Sequence, residues 1–131
     1  MIFDEEKLDR LSREAAASPR LRMNLDLRDS AESTSQRMLN AMEPGTVLPI
    51  HRHPSTAETL VVIRGAVEQI FFDNDGRELD RVRLEAGKTP CCVNVPAGQW
   101  HRTVSLLPGT VIFEAKEGSY APLTPADILP D

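Results

Sequence analysis

His51 and His53 stand two residues apart in the run His51-Arg52-His53. On an extended chain that spacing points both imidazoles to one side, with Cα atoms about 6.6–7 Å apart. Two rings so placed can converge on one ion. Glu58 follows at the start of the next apolar stretch and offers a carboxylate oxygen. His101 lies further on, after the turn Pro96-Ala97-Gly98 and at the start of another extended run. Three imidazoles and one carboxylate suit Zn, Fe, Ni, Mn or Cu, and they leave positions open for water or substrate. Any one of these histidines alone reads more simply as a hydrogen-bonded core or rim residue. The spacing of the set favours the metal.

Strands must position these side chains, and the chain is rich in strand signals. Residues 1–19 read as a helix: Asp4 can cap it, Glu5 and Glu6 suit its positive end, Leu8, Leu11 and Ala15 share a face, and Pro19 stops it. Leu21–Leu27 alternates apolar and polar residues with period two. After a polar loop, extended runs are expected at Gln36–Met42, Thr46–His51, Glu58–Arg64, Val67–Asp73, Glu78–Leu84, Cys91–Val95, His101–Ser105 and Thr110–Lys116. Turn residues separate them, most clearly Asp73-Asn74-Asp75-Gly76. So many short strands predict an antiparallel sandwich or barrel. Several strands are apolar on both faces. One face is then expected to fill the barrel, and the other to meet the N-terminal segment, a second sheet or another subunit.

Composition narrows the function. The 131 residues predict a single domain, with a helix–strand segment over about 1–30, a barrel over about 36–118 and a tail over 119–131. The net charge is −5, and the 15 basic residues are scattered, so no nucleic-acid-binding face is expected. No apolar run approaches the ~20 residues of a membrane helix. The first residues lack the basic and apolar regions of a secretory signal. Cys91 and Cys92 are adjacent, too strained to bridge each other, and are read as buried strand thiols. Unpaired thiols without a leader predict a cytoplasmic protein.

The spacing Gly45-x5-His51-x-His53-x4-Glu58-x6-Gly65 resembles the first cupin motif, and Pro96-x-Gly98-x2-His101 resembles the core of the second. Pro90 stands where the second motif's leading glycine is expected, and Ser105 where its asparagine is. Further segments, Arg22-Met23-Asn24-Leu25, Gln36-Arg37-Met38-Leu39-Asn40, Phe71-Phe72-Asp73-x-x-Gly76 and Phe113-Glu114-Ala115-Lys116-Glu117-Gly118-x-Tyr120, resemble the WbuC-type cupin fold metalloproteins. The resemblance implies an all-β double-stranded β-helix, or jelly roll, preceded here by a short helix and strand. It implies one divalent transition metal (Zn, Fe, Ni or Mn) held by His51, His53, Glu58 and His101. It also implies a link to bacterial surface polysaccharides, with a sugar or sugar nucleotide as the expected small-molecule ligand.

Glu114 and Lys116 are two apart, so both face the barrel or both face solvent. Facing inward they would form the polar wall of a pocket and are the candidate catalytic pair. Gln36, Arg37, Asn40, Arg64, Ser105 and Tyr120 are further pocket candidates. Arg64 is in phase with Glu58, Ser105 is in phase with His101, and Tyr120 is the only tyrosine. Trp100 alternates with His101 and is expected to face away from the metal. Two functions are carried: a metalloenzyme (isomerase, lyase or oxygenase) acting on a small polar metabolite, and a non-catalytic metal-dependent binding or sensory module. A metal-free sugar epimerase is disfavoured, because such sites use a free histidine and a tyrosine. A homodimer is expected, with no membrane or nucleic-acid partner.

Overall fold

The computed structural model describes residues 1–130. A helix, α1 (Glu5–Ala17), precedes ten strands: β1 (Arg22–Asp26), β2 (Ser35–Met42), β3 (Ile50–His51), β4 (Glu58–Arg64), β5 (Ala66–Phe72), β6 (Glu78–Glu85), β7 (Cys92–Val95), β8 (Trp100–Ser105), β9 (Val111–Glu117) and β10 (Ile128–Leu129). They form two antiparallel five-stranded sheets, ordered β1-β2-β9-β4-β7 and β10-β3-β8-β5-β6. This is the jelly-roll architecture, with a short helix added. Among the described residues no helix is long and apolar enough to cross a membrane.

The inward rows of the first sheet change character along their length. Met42, Leu60, Val62 and Ile112 join Val67 and Leu84 of the second sheet in a fully buried apolar floor. Each such side chain contributes roughly 1.5–3 kcal/mol by leaving water. Toward the other end the same rows carry Glu58, Glu114, Lys116 and Gln36. In register, Lys116 lies between Gln36 of β2 and Glu58 of β4, and Glu114 between Met38 and Leu60. An apolar floor thus supports a polar upper chamber.

Helix α1 covers part of the first sheet's outer face. The Asp4 carboxylate accepts a hydrogen bond from the Lys7 backbone N–H (3.0 Å), capping the helix. Leu8, Leu11 and Ala15 pack on Leu39, Ala41 and Val111, with Met23, Leu25 and Phe113 at the margin. The apolar face of β1 therefore meets the helix, which leaves its polar face, Arg22 and Asn24, toward the chamber. On the outer face of the second sheet Trp100 packs with Ile50, Ile70 and Phe72. The Arg52 guanidinium lies 4.5 Å from the Trp100 ring centroid.

Two expectations are corrected here. Thr46–Pro49 forms no strand. The Thr46 hydroxyl donates to the Leu21 and Glu43 carbonyls instead (2.9 and 2.7 Å), and Pro49 has no N–H for a ladder. The cysteines are not buried: Cys92 is exposed and Cys91 half-buried, because β7 is an edge strand. The tail has structure of its own. It crosses the chamber mouth, makes a turn at Pro125–Asp127 and adds β10 against β3, pairing Ile128 with His51.

Candidate metal centre

His51 and His101 face each other across the β3–β8 pair, with ring centroids 4.3 Å apart. The loop after β3 returns to the Pro96–Gly98 turn, where the Gly98 N–H donates to the His53 carbonyl (2.8 Å). That bond joins the two histidine-bearing segments. Glu58, the first residue of β4, points into the same space. The four potential ligand atoms, one from each residue, all lie within 4.8 Å of one another. Ligands at about 2.1 Å from a common ion are up to ~4.2 Å apart, so shifts of a few tenths of an ångström would close the set.

Two observations fit a cation there. First, His51 Nδ1 lies 2.9 Å from the Pro49 carbonyl oxygen and His101 Nδ1 lies 2.8 Å from that of Gln99. A carbonyl only accepts, so each Nδ1 carries the hydrogen and each Nε2 presents a lone pair inward. Second, Glu58 is buried and its Oε2 has no hydrogen-bond partner, although it lies 3.0 Å from His53 Nε2 and 3.5 Å from His101 Nε2. A buried orphan acceptor is costly, and a bound cation would satisfy it.

The electrostatics agree. Burial, then the neighbouring His101, hold the His51 imidazole down to about 4, so it is neutral and able to ligate at neutral pH. Burial pushes the Glu58 carboxyl up, but His101, His53 and the charge of Lys116 outweigh it and keep Glu58 ionised. Glu114 behaves oppositely. Burial, then the negative charge of Glu58, push it up to about 8 despite Lys116. By surface area Glu114 is only half-buried, because it touches the solvent-connected chamber.

A pH test follows for the metal-free protein. A carboxyl raised on folding stabilises the fold below its unfolded value of 4.5 and loses that contribution as pH rises through about 8. Glu114→Gln removes the loss. Urea unfolding at pH 5 and pH 8.5 should show Glu114→Gln gaining on wild type by roughly 1–3 kcal/mol at the higher pH, after discounting for solvent in the chamber. Parallel pH profiles for the two proteins would refute the assignment.

The chamber measures about 550 Å³ and is lined by all four potential ligands, by Glu114, Lys116, Gln36 and Asn40, and at the rim by Tyr120. Gln36 is buried, and its side-chain nitrogen donates to the Gly118 carbonyl (3.0 Å). Tyr120 is 59% exposed, so it borders the mouth without sealing it. Three sequence candidates lie elsewhere. Arg37 alternates with Gln36 and Met38 and faces outward, bonding the Ser35 carbonyl. A register shift between Val62 and Arg64 turns Arg64 out of the inward row. It ties β4 to Gly109 (2.8 Å), Asp9 (2.8 Å) and Ser12 (2.9 Å). Ser105 is on the His101 face but near the floor, donating to the Met42 carbonyl (2.6 Å). The chamber also uses residues that the sequence reading overlooked: Arg22, Asn24, Met38, Thr103 and the tail from Ser119 to Thr124. The alternation of β1 was the available signal, since its polar face had to point somewhere.

A family model described as a domain of unknown function, DUF6016, matches residues 3–84. The chain belongs to the DUF6016 family. No curated protein sequence matches this DUF6016 chain. Its fold matches solved structures of cupins. KdgF from Halomonas sp. aligns with a TM-score of 0.60 at 17% identity, over 77% of this chain and 82% of that one. Oxalate oxidase in complex with the substrate analogue glycolate aligns at 0.64 and 18%, over 80% and 55%. Bacillus subtilis oxalate decarboxylase, which has Mn(II) centres, aligns at 0.58 and 19%, over 77% and 26%. At these identities the likeness shows the fold, and this DUF6016 chain spans about half or less of the two oxalate enzymes' lengths.

Proposed function

We propose that this protein is a divalent-metal cupin of the WbuC type that binds a small polar metabolite and acts on it inside the chamber. The observation that carries the reading is the convergence of His51, His53, Glu58 and His101, with the Nε2 lone pairs of His51 and His101 turned inward and an orphan carboxylate oxygen on Glu58. When bound, the metal supplies Lewis acidity toward an oxygen of the ligand. This chain's residues do the rest. Glu114, kept protonated at neutral pH, can give a proton to the ligand and take one back. Lys116, in register with Glu58, orients a negative or polar group beside the metal ligands. Gln36 and Asn40 hold hydroxyls. The WbuC resemblance supports a sugar or sugar nucleotide as the metabolite.

Protein prepared without chelator should contain about one equivalent of a first-row divalent ion. Lys116→Ala should keep that metal while altering ligand binding, and His53→Ala should lose it. Equal metal loss in both variants would overturn this division of roles, and a metal-free wild type from metal-replete growth would overturn the centre itself.

A further inference from the structure

The chamber wall contributed by β1 has the makings of an anion site. Arg22 is in phase with Asn24, and β1 pairs them with Met42 and Asn40 of β2, whose side chains face the interior. Arg22 is half-buried, and no hydrogen bond or ion pair holds its guanidinium among the described residues. Other arginines in comparable surroundings are committed: Arg28 to Asp26, Arg52 to Asp127, Arg64 to Glu5 and Asp9. The charges that act on Arg22 are Arg20, which also lines the chamber, and Glu114. Beside it Asn40 is 7% exposed, and its Oδ1 is buried without a partner. A buried amide oxygen with no partner calls for a hydrogen-bond donor, which a ligand hydroxyl supplies.

We propose that Arg22, assisted by Arg20, binds the anionic group of a polyhydroxylated metabolite whose hydroxyls are read by Asn24 and Asn40. This deepens the metal-cupin reading and rests on it only for the ligand's other end. A guanidinium pairs with carboxylate and phosphate alike, so the ligand is a sugar acid or a sugar phosphate. Arg22 then serves as a specificity residue supplied by the added N-terminal strand rather than by the metal-bearing barrel strands.

The test is calorimetric titration of metal-loaded, full-length protein with gluconate, glucose 6-phosphate and neutral glucose. One of the two anions should bind at least about 10-fold more tightly than glucose, and which one does so separates carboxylate from phosphate. Arg22→Ala should weaken that anion roughly 10- to 100-fold and leave the metal content unchanged. Arg22→Lys should recover part of the loss, which a merely misfolded wall would not. Equal affinity for glucose and both anions, no binding of either anion at about 10 mM, or unchanged anion affinity in Arg22→Ala would each overturn the proposal. The metal reading fails separately: anion preference without metal in wild type sinks the metal centre and keeps Arg22, and one equivalent of metal without anion preference does the reverse.

Discussion

His101→Ala should abolish metal binding and, with it, most of the heat resistance that metal confers. His101 is 2% exposed, its ring is held by the Gln99 carbonyl, and it faces His51 across a strand pair. Alanine keeps the backbone ladder and removes one ligand and one neighbour of the Glu58 oxygen. In wild type, metal at 1,000 times its Kd should add about 4 kcal/mol of stability. For a chain of this size that is a rise in Tm on the order of 10 °C. In His101→Ala the rise should largely vanish and bound metal should fall to near zero, with the far-UV spectrum unchanged. Gln99→Ala is the control: it removes that residue's bonds to Phe72 and Trp100 but keeps the carbonyl that orients His101. Retention of a full equivalent of metal and the full thermal shift by His101→Ala would remove this histidine from the centre.

Gly65→Ala should be the most damaging change away from the chamber. Gly65 turns the chain from β4 into β5 with φ of +81°, a conformation that costs other residues about 1–2 kcal/mol. A Cβ there would also press on the Thr110 hydroxyl and lie 2.8 Å from Thr110 Cα. Thr110 cannot retreat. It is fully buried, and its hydroxyl donates to the Leu107 carbonyl (2.7 Å) while meeting the Ala66 N–H (3.3 Å). Steric overpacking adds roughly 1–3 kcal/mol, for about 2–5 kcal/mol in all. Gly98 has a similar φ of +79°, but an added Cβ meets nothing within 4 Å, so Gly98→Ala should cost only the backbone part. Urea midpoints of the two variants that agree within error would show that the contact with Thr110 carries no weight.

The cluster of His51, His53, Glu58 and His101, which could hold a metal, was legible because its signal is one of spacing. The single residue between His51 and His53 puts both rings on one side of an extended chain, and a strand pair did the rest. Glu58–Arg64 was legible as a strand end to end. Orientation at strand ends was not. Arg64 is in phase with Glu58 by counting, yet one register shift turns it toward α1. Ser105 shares a face with His101, but four residues carry it down to the floor. The exposure of Cys92 depends on β7 being at a sheet edge, which strand order decides and local pattern does not. The tail's pairing with β3 involves two residues and buries little apolar surface, so it left no periodicity to read. The polar face of β1 was visible as alternation, but only the covering of the opposite face by α1 shows which way it looks.

The division of the barrel interior into an apolar floor and a polar chamber separates two kinds of selection. β9 holds Ile112 in the floor and, two and four residues on, Glu114 and Lys116 in the chamber. β2 does the same with Met42 and with Asn40 and Gln36. Substitutions at the chamber positions can change what is recognised while the floor that keeps the sheets together is left alone. A lineage carrying this scaffold can therefore drift in ligand preference without passing through unfolded intermediates, and its members are expected to diverge first at alternate positions toward one end of each strand.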